Sequence, residues 1–133
     1  MMTLNRNRTA LQWTLGTLAV IPMASAVGEI LHGPQGVPGG SPDVAPTVDS
    51  SLRYANVFKF ASGVTVLREL PRIERSSATS FALSTIAVGG LARILAWRQS
   101  GRPHPVIVGA IALETIGAPL LLTWQRRISA KAV

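Results

Sequence analysis

Residues 105–125 read PVIVGAIALETIGAPLLLTWQ, and Glu114 is the only ionisable residue among them. The hydrocarbon core of a bilayer is about 30 Å thick, and roughly 20 apolar residues of helix cross it. This stretch therefore reads as a membrane-spanning helix. Upstream, residues 77–97 form a second such run, interrupted by Arg93 alone, and residues 9–28 form another with no charge at all. Residues 51–69 make the fourth and weakest run, broken by Arg53, Asn56, Lys59 and Arg68. The expected fold is all-α. It is a four-helix transmembrane bundle in one domain over residues 1–133, with an even number of crossings.

Composition agrees. Charged residues are 14% of the chain and hydrophobic residues 47%, with a mean hydropathy of +0.33. A soluble domain carries about 25% charge. The net charge of +7 would point to nucleic acid in a soluble chain. Here the arginines flank apolar runs and are not interleaved with aromatics, so they read as topology signals and lipid headgroup contacts. Nucleic acid is not expected as a partner. Cysteine is absent, which removes disulfides, thiol nucleophiles and cysteine metal sites.

The connections differ in kind. Residues 33–50 hold Pro34, Pro38, Pro42 and Pro46 among four glycines, a composition that forbids continuous helix and predicts an extended external loop. The segment Leu70–Ser76 is short and basic, and Gly101-Arg102-Pro103-His104-Pro105 is a tight turn. Pro22 is expected to bend the first span, because proline removes a helical hydrogen bond. Ala78, Ala82, Thr85 and Gly89 form a small-residue stripe that suits close helix packing. In the second span, Arg53, Asn56, Lys59 and Gly63 share one face, with Val57, Val64 and Leu67 opposite. Such a helix spans if its polar face meets protein, and otherwise lies in the interface.

Basic residues set the orientation. Arg6, Arg8, Arg68, Arg72, Arg75, Arg126, Arg127 and Lys131 fall on one side, which the positive-inside rule makes cytoplasmic. Both termini are then expected in the cytoplasm, in the inner or plasma membrane. Trp13 and Trp124 lie near the same ends and Trp97 and Tyr54 near the others, as interfacial aromatics do. A competing reading takes Arg6, Arg8 and Ala24-Ser25-Ala26 as a cleavable signal peptide, leaving three spans.

Three ionisable residues lie well inside the spans, namely Lys59, Arg93 and Glu114. A bare charge at mid-membrane costs at least about 2.5 kcal/mol, so these groups are expected to pair. Side chains lean toward their own helix N-terminus. Arg93 and Glu114 thus lean toward one another from depths about 6 Å apart at 1.5 Å rise per residue. Lys59 lies at a depth close to Glu114. A buried ion pair that fixes register explains the group structurally; a charged pocket for an anion, proton or polar headgroup explains it functionally. His32 and His104 are too few ligands for zinc, and Ser76, Ser77, Ser80 and Ser84 have no paired base. No metal, cofactor or catalytic residue is expected.

Several blocks carry a family resemblance: Asp49-Ser50-Ser51-Leu52-Arg53-Tyr54, Gly90-Leu91-Ala92-Arg93, Gly101-Arg102-Pro103-His104-Pro105, Leu113-Glu114 and Pro119 through Arg127. Their order resembles a bacterial domain-of-unknown-function family of small four-helix membrane proteins. The resemblance implies four spans, no signal peptide and no assigned activity. It maps recurring positions onto Arg53, Arg93 and Glu114, while Lys59 departs from it.

Three functions remain open. One is an accessory or scaffold subunit that packs on another membrane protein or on a second copy of itself. The second is a binder or carrier of a small polar or amphipathic molecule through Arg93, Glu114, Lys59 and Arg53. The third, a membrane enzyme, lacks the clustered His, Cys and carboxylates it needs.

Overall fold

The structure, a computed structural model, describes residues 2–132. Its regular structure is entirely helical. Helix α1 is Met2–His32, α2 is Pro46–Glu69 and α3 is Ser77–Ser100. Helix α4 is Pro105–Lys131, and its middle, Leu113–Gly117, widens into a π-helical turn. Short 3-10 turns occupy Gly33–Gly36 and Leu70–Arg75. Three segments, Met2–Gly36, α3 and α4, are long and apolar enough to cross a membrane. Helix α2, with its extra charges, is not among them.

The helices run past the ends that hydropathy sets. Residues 2–8 are already helical, and α1 continues through Pro22 without ending there. At 31 residues it is about 46 Å long, well beyond a hydrocarbon core of about 30 Å. Helix α2 begins at Pro46 because a proline in the first turn has no N–H to lose. The irregular part of the Pro/Gly-rich loop is correspondingly shorter than residues 33–50.

Contacts fix an antiparallel up-and-down order. Lys59 reaches Glu29, while Gln12 near the start of α1 donates to the carbonyl of Leu70 after α2. Ser80 early in α3 meets Gln125 late in α4, and Arg93 late in α3 meets Glu114. Both termini and the Leu70–Arg75 turn therefore share one end of the bundle.

The apolar core sits at that end. Leu11, Leu15 and Ala19 of α1 pack with Val66, Ile73, Ala82, Leu83, Ala118 and Ile128. In the opposite half Ala26 and Ile111 are buried as well, but they lie outside that core and polar contacts join the helices there. The apolar surface points outward, with Trp13, Phe81, Val88, Ile116 and Leu120 exposed.

The two faces expected of α2 sort as burial demands. Asn56 and Gly63 are buried toward α1, whereas Val57 and Val64 face out. Leu67, expected on the outer face, packs against the core. The expected stripe on α3 divides: Ala82 is buried, while Thr85 and Gly89 face out. The close approach falls one residue later. A Cβ on Gly90 would stand 2.7 Å from Thr115 Cγ2 and 2.8 Å from Glu114 Cβ, closer than side-chain carbons pack.

Candidate functional site

The candidate residues Arg53, Lys59, Arg93 and Glu114 fall into three ion pairs in the half away from the termini. Arg93 Nε lies 3.1 Å from Glu114 Oε2, directly beside the Gly90 contact. Glu114 belongs to the π-helical turn. Such turns recur at functional positions in helices. The pair is half-buried, with the Arg93 side chain 39% exposed and that of Glu114 22%.

Lys59 takes another partner. Its ammonium lies 2.9 Å from Glu29 Oε1 and 2.9 Å from Ser25 Oγ, and Ser25 also donates to Glu29 at 2.6 Å. Glu29 is among the buried polar residues. Pairing and a hydroxyl donor offset the cost of burying its charge. Neighbouring Asn56 is buried as well. Its amide donates to the Leu52 carbonyl at 2.9 Å, but its Oδ1 has no partner among the described residues.

Arg53 works at the helix end. Its Nε pairs with Asp49 at 3.0 Å, one turn earlier. Its Nη1 donates to the Ile30 carbonyl at 2.6 Å. The last carbonyls of α1 lack helical donors and carry the negative end of the helix dipole, so a guanidinium there is favourable twice over. Gly33 makes room for it. Its φ is 63°, and a Cβ would meet Asp49 Oδ1 at 2.5 Å and an Arg53 nitrogen at 2.6 Å.

A second polar assembly lies at the terminal end, centred on Gln125, which is 2% exposed. Its amide nitrogen donates to the carbonyls of Ile73 at 2.8 Å and Ser76 at 3.0 Å. Its Oε1 accepts from Ser80 Oγ at 2.9 Å. Ser76 caps α3 by accepting from the Thr79 N–H at 3.0 Å, and donates to Glu69 at 2.9 Å. Ser129 donates to the Glu74 carbonyl. Arg8 binds Glu74 at 2.8 Å and also donates to the Pro71 carbonyl. Burial pushes the Glu74 carboxyl up. The Arg8 hydrogen bond, a backbone N–H and the charges of Arg8 and Arg75 outweigh it and hold the carboxyl below the usual range.

Sequence reasoning did not single out Gln125. Its signal was present, since Trp124-Gln125-Arg126-Arg127 belongs to one of the resembling blocks, but a polar residue where a span ends reads first as interface. Ser76 and Ser80, considered as nucleophiles, serve as a cap and a bridge to Gln125. His104 accepts from the Val106 N–H at 3.2 Å to cap α4, and His32 bonds the Gly28 carbonyl at 3.0 Å. Among the described residues no group of three or more His, Asp or Glu is placed to hold a metal ion.

Comparison with known proteins adds one match. Residues 10–125 match a family described as a domain of unknown function, DUF4345. No curated protein and no solved structure matches the chain.

Proposed function

The chain belongs to the DUF4345 family, and from that premise we propose that it is a multi-pass membrane protein acting as an accessory or scaffold subunit. In this reading all four helices cross the inner or plasma membrane, and both termini lie in the cytoplasm. The observation that carries it is the pairing of Lys59, Arg93 and Glu114 within the chain. Charges spent on internal pairs leave the bundle an apolar outer surface, suited to lipid and to other membrane helices. Helix α2 is supported as a span by its polar face, which is turned onto α1 and so kept from lipid. The basic residues of the terminal end support the orientation.

Purification in a mild detergent tests the subunit reading. A stoichiometric companion protein is the expected result, and a lone chain or self-oligomer carrying a small molecule overturns it. Cysteine labelling from outside intact cells tests the orientation. Ser41→Cys should label and Ala130→Cys should not.

A second reading has one observation in its favour. Arg93 and Glu114 keep 39% and 22% of their side chains exposed. That leaves room for a small polar ligand to compete for the pair. A bound small molecule in the purified protein, lost in Glu114→Gln, is the outcome that selects it.

A further inference from the structure

The fold concentrates charge that the sequence spreads along the chain. Arg6, Arg8, Arg68, Arg72, Arg75, Arg126, Arg127 and Lys131 meet at the terminal end, where the acids are Glu69 and Glu74. Eight cations against two anions place six of the seven net charges at that end. Arg8 and Arg72 are spent on Glu74 and Glu69. Arg6, Arg68, Arg75, Arg126, Arg127 and Lys131 form no direct ion pair among the described residues, and all six are exposed.

Trp13 and Trp124 lie on the same half of the bundle. Arg6 and Trp13 are seven residues apart on one exposed face of α1, about 10 Å along the axis. A guanidinium one phosphate layer outside an indole is the arrangement expected at a lipid headgroup boundary. Beside it, an open groove of about 580 Å³ runs between the start of α1 and the end of α4, with Met2, Leu4, Ile128 and Ala132 as its apolar wall and Asn5 and the Arg8–Glu74 ion pair, its charges internally matched, as its polar one. Lys131 adjoins Ala132 at its rim.

We propose that this end is a binding site for anionic phospholipid, with headgroup phosphates drawn to the exposed cations Arg6, Arg126, Arg127 and Lys131 and the glycerol and upper acyl chain against the groove. The occupant is lipid, not a soluble polyanion, because the unpaired cations lie beside exposed indole and apolar wall. The inference rests on the membrane reading above but on neither orientation nor any protein partner. Its consequence is lateral: the chain collects anionic lipid around one end and not the other.

The three tryptophans allow a direct test. The full chain is reconstituted in phosphatidylcholine vesicles containing either brominated phosphatidylglycerol or brominated phosphatidylcholine, with bromine near the headgroup. Trp97→Phe leaves reporters at the basic end, and Trp13→Phe with Trp124→Phe leaves a reporter at the other. The basic-end reporters should prefer brominated phosphatidylglycerol by about fivefold, the factor contributed by one Lys or Arg near an anionic surface. Trp97 should show a ratio near one. The preference should vanish in Arg6→Gln/Arg126→Gln/Arg127→Gln and persist when the same three become Lys, which separates charge from loss of fold. Equal quenching by the two lipids at the basic end overturns the inference while leaving the membrane reading intact. Absence of quenching by either lipid overturns both.

Discussion

Arg93 of α3 and Glu114 of α4 meet at 3.1 Å, beside the point where Gly90 lets the two helices approach closely. The pair and the glycine are one device. The missing Cβ sets the helix separation that brings the guanidinium to the carboxylate.

Glu114→Gln and Arg93→Gln should each lower the melting temperature in detergent. The double variant should lose less than the sum, with a coupling energy of about 1 kcal/mol, as neighbours in one ion pair show. A cycle that closes additively would mean that the contact contributes nothing to stability.

Gly90→Ala tests the other half of the device. The added methyl must displace Thr115 or the Glu114 stem, at about 1–3 kcal/mol. Gly89→Ala, one residue away with open space around it, should be neutral or slightly stabilising. Equal effects at the two positions would refute the close approach.

Lys59→Met should be the most damaging single change in the far half, costing about 3–5 kcal/mol by stranding buried Glu29. Adding Glu29→Gln should recover most of the loss. If Glu114→Gln rescued Lys59→Met instead, the pairing described for α1 and α2 would be wrong.

At Gln125 the two obvious substitutions should differ. Gln125→Leu removes one donor from each of the Ile73 and Ser76 carbonyls, which keep the Ser76 and Ser80 N–H groups as partners, and should cost about 0.5–1.5 kcal/mol for each lost bond. Gln125→Glu aims a second oxygen at those same carbonyls and should be worse, to the point of lost expression. Comparing detergent melting curves of the two variants decides it.

Glu74 predicts a pH dependence. Its folded pKa lies below the unfolded value of about 4.3, so its stabilisation is complete above that value and is lost as pH falls through the folded pKa. The stability gap between the native chain and Glu74→Gln should hold steady from neutral pH to about 5, then close on further acidification. A gap that widened in acid would reverse the sign and exclude the Arg8 contact as its source.

Much of this was readable from the chain, for reasons that particular residues make clear. Long apolar runs mark helices because the bilayer demands length, and the depths of Arg93 and Glu114 brought them together because depth follows from residue count. Depth alone did not find the partner of Lys59. Glu114 lies at a comparable level, and the choice of Glu29 depends on which way each helix is turned about its axis. The start of α1 was hidden too. Arg6 and Arg8 look like a solvated tail until the fold brings Glu74 and Pro71 beside Arg8. Gln125 was hidden most fully, since two of its three partners are backbone carbonyls 49 and 52 residues away, and carbonyls leave no trace in a side-chain pattern.

The clamp made by Gln125 also sets an order of assembly. Until α4 is in place, the Ile73 and Ser76 carbonyls have no Gln125 donor, so the hairpin of α2 and α3 is unfinished while the chain is still being made. The turn between α2 and α3 is thus completed by a side chain that arrives only with α4, so docking of the last helix and closure of that turn are one event.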